Sequence, residues 1–137
     1  DLHSFPTRRS SDLHIEEAAG NVSFIDHVSQ QQLTEYYAKA KVHVLPSWFE
    51  TTGLSSLEAA ACGCNIVITD KGDQHEYFRD YAYYCDPGSH QSIAEAIRKA
   101  ANDPVNHQLS QLVSENYTWQ KAAEQTAEAY REILSTS

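Results

Sequence analysis

Clustered positive charge is what this sequence most lacks. Ten Lys and Arg stand against nineteen Asp and Glu in 137 residues, a formal net charge of -9. Without grouped Lys and Arg a surface cannot neutralise a run of phosphates, which argues against a nucleic-acid partner and leaves the acidity to promote solubility. No apolar run approaches the roughly 20 residues that cross a bilayer, and no charged-then-apolar leader opens the chain. Cysteine is scarce. Cys62, Cys64 and Cys85 form no C-x-x-C pair, and an odd number without a leader reads as reduced thiols in the cytoplasm, packed as small buried residues. Seven histidines, at positions 3, 14, 27, 43, 75, 90 and 107, show no H-x-x-x-H or H-E-x-x-H spacing and so offer no metal signal.

What the chain does have is alternation. Apolar, strand-like runs at Val22–Ile25, Val42–Leu45, Asn65–Thr69 and Ala82–Cys85 are separated by helical patterns near 29–40, 55–62, 74–79 and 90–101. That order predicts an α/β fold, a doubly wound parallel sheet with helices on both faces. A hydrophobic fraction of 41% suffices for one domain with a real core. The last segment places Trp119, Ala123, Thr126, Ala127, Tyr130, Ile133 and Leu134 at helical spacing behind Thr118 as a cap, which predicts an amphipathic helix over 118–134. Repeats and low-complexity tracts are absent from the sequence.

The most specific stretch is Pro46-Ser47-Trp48-Phe49-Glu50-Thr51-Thr52-Gly53-Leu54-Ser55-Ser56-Leu57-Glu58-Ala59. It leaves the carboxyl end of the Val42–Leu45 strand and runs into a helix that Cys62-Gly63 ends, with Ser55 as the expected cap. In open α/β sheets ligands bind at the carboxyl ends of strands, and a helix start offers unpaired N–H groups and partial positive charge. An anion such as a diphosphate suits that place. Glu50 in the loop and Glu58, expected in the first helical turn, could each accept hydrogen bonds from hydroxyls flanking the anion. A plainer reading stands beside it: Ser55-x-x-Glu58 matches a capping box, in which Glu58 only binds the cap residue's backbone.

The ordered set Pro46-Ser47, Glu50, Gly53-Leu54, Leu57-Glu58-Ala59, Ala61, Gly63 and Ile66-Val67 resembles the signature of the retaining GT-B glycosyltransferases of family 4, in their donor-binding, Rossmann-like C-terminal domain. The likeness extends from residue 20 to 134 and takes in Val22–Ile25, Gly72 through Glu76 and Tyr117-Thr118-Trp119. It implies transfer of a sugar from a nucleotide-diphosphate donor to a glycan or lipid-linked acceptor, with retained configuration and no metal or other cofactor. By position, Glu50 would contact the donor sugar near its reacting centre as the catalytic carboxylate, and Glu58 would hold the ribose. The amides of Thr52, Gly53, Leu54 and Ser55 would cradle sugar and diphosphate, and backbone near Val28 would meet the base. Thr51, Thr52 and Asn65 depart from the pattern, which usually has glycine, an aromatic and proline there. Backbone contacts to phosphate depend on chain conformation more than on side-chain identity, so Gly53 is the sensitive position.

The resemblance further implies a domain lacking its first strands and the acceptor-binding N-terminal domain, which also carries the basic pair that would neutralise the leaving diphosphate. It places the protein in the cytoplasm, with peripheral contact at the inner face of the plasma membrane left open, and a role in polysaccharide, lipid-linked oligosaccharide or cell-envelope glycan synthesis. The terminal helix would pack toward the absent domain. Residues 1–13, His3-Ser4-Phe5-Pro6-Thr7-Arg8-Arg9-Ser10-Ser11-Asp12-Leu13 among them, resemble a translated sequencing adapter and are expected to be disordered, leaving 14–137 as the partial nucleotide-sugar-binding domain. A nucleotide-sugar epimerase of the same architecture and a non-catalytic nucleotide-sugar-binding module remain the alternatives. A glycoside hydrolase fits less well, because its two carboxylates flank one bond. In the loop after the third strand, His75 and Glu76 could line the same cleft.

Overall fold

The computed structural model describes residues 22–135; the expected disorder at 1–13 lies outside them. A parallel sheet of three strands, β1 (Val42–Leu45), β2 (Asn65–Thr69) and β3 (Tyr83–Cys85), runs in the order β1-β2-β3. Register pairs Val44 with Val67 and Val67 with Tyr83. Helices cover both faces. On one, α2 (Leu54–Ala61) packs on β1 and β2, with α1 (Gln30–Lys39) and α5 (His107–Asn116) against it; on the other, α4 (His90–Asn102) crosses all three strands. The short α3 (Gln74–Phe78) and a 3₁₀ turn (Arg79–Tyr81) connect β2 to β3, and α6 (Trp119–Ser135) closes the described chain.

β2 is the centre because both of its faces are covered, and all five residues are buried. Ile66 and Ile68 point to a core with Leu57, Ala59, Ala60, Phe78, Leu109 and Val113; Val67 points to a smaller one with Cys85, Ala96 and Ala100. A strand buried on both sides reads as the continuous apolar run seen in the sequence. Its polar first residue is fully used. Asn65 donates from Nδ2 to the Ala100 carbonyl (2.9 Å), accepts the Asn106 amide at Oδ1 (3.1 Å), and donates its own N–H to Lys41 (2.9 Å). A proline there would have none of these three bonds. The α2 stop is as expected: Gly63 (φ 94°) leads a Schellman pair, Gly63 N–H to the Ala60 carbonyl and Cys64 N–H to the Ala59 carbonyl, both 3.0 Å. Cys64 and Cys85 are buried and Cys62 half-buried, all three as free thiols. Burial pushes the Cys64 and Cys85 thiols up from their ordinary value.

Three expectations need correction. Val22–Ile25 is not a strand; it is irregular and exposed. A strand exists by pairing, and β1 has only β2 as a neighbour among the described residues. Ser55 does not cap α2: the cap is Gly53, the helix begins at Leu54, and Glu58 therefore falls past the first turn. Finally, α5 was not foreseen, although Asn106 caps it through Oδ1 to the amides of Gln108 (3.1 Å) and Leu109 (3.3 Å), and Leu109 and Val113 bury one stripe.

Thr118 does start α6, its Oγ1 accepting the Lys121 amide at 3.2 Å. No residue of α6 is buried; Trp119, Tyr130, Ile133 and Leu134 are 63–83% exposed. Neither α6 nor any other described helix is long and apolar enough to cross a membrane.

Candidate functional site

The loop between β1 and α2 sits at the carboxyl end of the sheet, and its conformation is set by glycines. Gly53 is left-handed (φ 62°, ψ 54°) and buried. A Cβ there would lie 3.0 Å from Gln74 Oε1 and 3.4 Å from Glu50 Cγ, so both backbone and space call for glycine. Because Gly53 has no side chain to bond back, α2 begins without a side-chain cap. Its carbonyl accepts from Ser56 (2.9 Å) and Leu57 (3.1 Å), the first bonds of the helix. The N–H groups of Thr52, Gly53, Leu54 and Ser55 have no acceptor among the described residues. A left-handed residue leading into helix turns consecutive N–H groups to one side, which together with the helix dipole makes an anion-binding concavity.

The two carboxylates are also unengaged. Glu50 and Glu58 are half-buried, and neither side chain has a hydrogen-bond or ion-pair partner among the described residues. The Ser55–Glu58 capping box is thus not formed, and Glu58 is left unpaired among the described residues. It sits near α1, where burial and then the Glu58 charge hold the Tyr37 phenol above its ordinary value. Trp48 and Phe49, just before Glu50, are 73% and 69% exposed. Glu50, Thr52, Gly53, Leu54, Ser55 and Glu58 are therefore brought together as one loop and helix start. Val28 lies on a separate segment, immediately before Ser29, the cap of α1, and α1 packs on α2.

The loop after β2 joins the site by a route the sequence did not indicate. His75 and Glu76 are both exposed; His75 stacks on Tyr84 at 3.9 Å between ring centroids. Gln74 is the buried member, at 0% exposure. Gly72 (φ 74°) lies so close to the Glu50 carbonyl that a Cβ would come within 1.9 Å of it. The pair of glycines, one in each loop, was the available signal; nothing in the sequence marked Gln74 as inside. Beneath the loop, His43 Nε2 and Ser56 Oγ are 3.1 Å apart, and burial holds the imidazole below its ordinary value. Among the described residues no group of three His, Cys, Asp or Glu could hold a metal ion.

A family profile described as "Glycosyl transferases group 1" matches residues 8–132. The chain belongs to that family. Among similar curated proteins of this kind, the D-inositol 3-phosphate glycosyltransferase of Paenarthrobacter aurescens (strain TC1) is 32% identical over 131 residues, 89% of this chain and 32% of that protein. The O-antigen chain mannosyltransferase B of Escherichia coli is 26% identical over 116 residues, 82% of this chain and 30% of that one. The alpha-maltose-1-phosphate synthase of Mycobacterium tuberculosis (strain ATCC 25618 / H37Rv) is 31% identical over 123 residues, 80% and 32% respectively. In structure, the chain superposes on the sucrose-phosphate synthase of Thermosynechococcus elongatus with a TM-score of 0.81 and 25% identity, covering 98% of this chain and 37% of that one. This group 1 glycosyltransferase domain, of GT-B type, spans about a third of the length of the relatives it matches.

Proposed function

We propose that the chain is the donor-binding part of a retaining, metal-independent glycosyltransferase of family 4, and that a nucleotide-diphosphate sugar binds at the start of α2. The observation that carries this reading is the row of four amides, Thr52 through Ser55, left without acceptors between two unpaired carboxylates. The amides take the diphosphate, Glu58 accepts from the ribose hydroxyls, and Glu50 accepts from the donor sugar near its anomeric carbon. As the glycosidic bond breaks, negative charge builds on the departing diphosphate, and fixed amides at a helix start stabilise it more in the transition state than in the ground state. Backbone near Val28 lies on the base side of the ligand, one helix away. A glycan or lipid-linked acceptor is held by protein outside this chain, where the missing cations also lie. The cytoplasm is the setting, with peripheral membrane contact confined to delivery of a lipid-linked acceptor.

On this reading the isolated chain binds donor weakly and transfers nothing. Calorimetric titration with UDP-glucose, GDP-mannose and ADP-glucose should show binding of at least one of them. Glu58→Ala should weaken it about tenfold, the worth of a charge-assisted hydrogen-bond pair. Equal affinity for the sugar nucleotides in wild type and Glu58→Ala, or sugar transfer by the chain alone, would contradict the assignment.

A further inference from the structure

The side chain of Gln74 is wholly buried, yet its amide is only half satisfied. Nε2 donates to the Thr51 carbonyl at 3.0 Å and, more weakly, to the Glu50 carbonyl at 3.5 Å. Oε1 has no partner and is closed off from solvent; it faces Gly53, 3.0 Å from where a Cβ would stand. The orientation is chemically determined. Turning the amide over would set Oε1 against two carbonyl oxygens and still leave Nε2 without an acceptor. A buried unsatisfied acceptor carries a desolvation cost that an apolar side chain of the same length would avoid. Bulk stability therefore does not explain why glutamine stands here.

Its partners suggest what does. The carbonyls it holds belong to the two residues that open the row Thr52 to Ser55, and the Asp73 N–H also donates to Glu50 O, at 3.3 Å. Gly72 allows this approach because it has no side chain to occupy the space against Glu50 O. The loop after β2 thus grips the loop after β1 from beneath. Fixing the peptide planes at Glu50 and Thr51 fixes where the next amides point and where the Glu50 side chain leaves the backbone.

We propose that Gln74 is a positioning residue: by holding the Glu50 and Thr51 carbonyls it sets the aim of the Thr52–Ser55 amides and of the Glu50 carboxylate toward the donor, without touching the donor itself. This rests on the donor site proposed above. It extends that reading by making the second loop part of the machinery and by making glutamine's donor group, rather than its bulk, the required feature.

Two variants test it in the full 137-residue chain. Gln74→Met keeps length and removes both the donor and the stranded acceptor, so the fold should survive. Amide hydrogen exchange at Asp73, which donates to Glu50 O, and at Ser56 and Leu57, which donate to Gly53 O, should speed up while β2 and α4 keep wild-type protection, and binding of UDP-glucose, GDP-mannose or ADP-glucose should weaken about fivefold, as for one or two lost hydrogen bonds. Gln74→Glu adds a readout that a merely structural role would not move. Its carboxyl would be buried beside Glu50 and next to Asp73, both of which, like burial, favour the protonated acid, while exposed His75 and Glu76 follow on the same helix. Once protonated, its O–H can donate to Thr51 O again. Relative to wild type at each pH, affinity should be low at pH 8 and recover toward pH 5.5. Unchanged loop exchange in Gln74→Met, unchanged affinity in that variant, or no recovery of Gln74→Glu at low pH would each overturn the proposal. If wild type binds none of the three sugar nucleotides, it is the donor reading that fails, and the exchange measurement alone decides whether Gln74 holds the loop.

Discussion

Helices α1 and α2 pack against each other and begin in opposite ways. At α1, Ser29 Oγ accepts the Gln32 amide (3.3 Å) and Gln32 Oε1 accepts the Ser29 amide (3.0 Å), a closed capping box. Ser89 at α4, Asn106 at α5 and Thr118 at α6 likewise bond their own first turns. At α2 a left-handed glycine occupies the cap position, and the first amides are offered to whatever lies beyond the sheet edge. The capped helices are finished as built. With glycine as its cap, the α2 start gives up only about a few tenths of a kcal/mol relative to a Ser or Asn cap, and its unfilled amides are intelligible if a ligand supplies the missing acceptors.

The sharpest way to break this contrast is at the glycines. Gly72→Ala should cost about 3 kcal/mol by chemical denaturation, since its Cβ would collide with the Glu50 carbonyl in a backbone conformation that alanine also resists. An unchanged denaturation midpoint would mean the two loops do not grip each other. Gly53→Ala meets a flexible side chain at 3.0 Å rather than backbone. It should cost about 1–2 kcal/mol for its left-handed φ and reduce donor binding further than it reduces stability.

The caps come next. Asn106→Ala should lose about 1 kcal/mol, whereas Ser55→Ala, inside α2 rather than at its cap, should stay within about 0.5 kcal/mol of wild type. If the second loses as much as the first, Ser55 caps the helix after all. The smallest effect is set by His43. Its imidazole is held below its ordinary value by burial, so the unfolded chain takes up a proton more readily than the folded one. This contribution to stability is complete above the unfolded value, near 6.5, and is lost as pH falls below it. Thermal melts from pH 7.5 to 5.5 should show that loss, and His43→Gln should flatten it.

The same contrast explains what could be read from the sequence. β1 and β2 were legible to the residue because Val42–Leu45 and Asn65–Thr69 are apolar runs closed by Pro46 and by Asp70. Val22–Ile25 has the same composition and is no strand, since composition cannot supply a neighbour to pair with. S-x-x-[EQ] occurs at both Ser29–Gln32 and Ser55–Glu58, and only the first forms. In the second, Gly53 starts the helix earlier, so Ser55 and Glu58 are already inside it. The site residues Glu50, Thr52, Gly53, Leu54, Ser55 and Glu58 all fall within the single stretch 50–58, which is why a linear pattern could hold them. Gln74 could not be found that way: its role depends on two loops meeting, and a glutamine in an acidic surface loop looks like any other until its burial is known.

The most direct test of the account is to follow the backbone amides of the isotopically labelled chain while UDP-glucose, GDP-mannose and ADP-glucose are added in turn. The account predicts that at least one of them shifts the Thr52, Gly53, Leu54 and Ser55 resonances first and most, and that Gly53→Ala abolishes those shifts while leaving β2 and α4 in place. Shifts centred elsewhere, such as the groove of about 490 Å³ between β3 and α4, or none with any of the three, would contradict it.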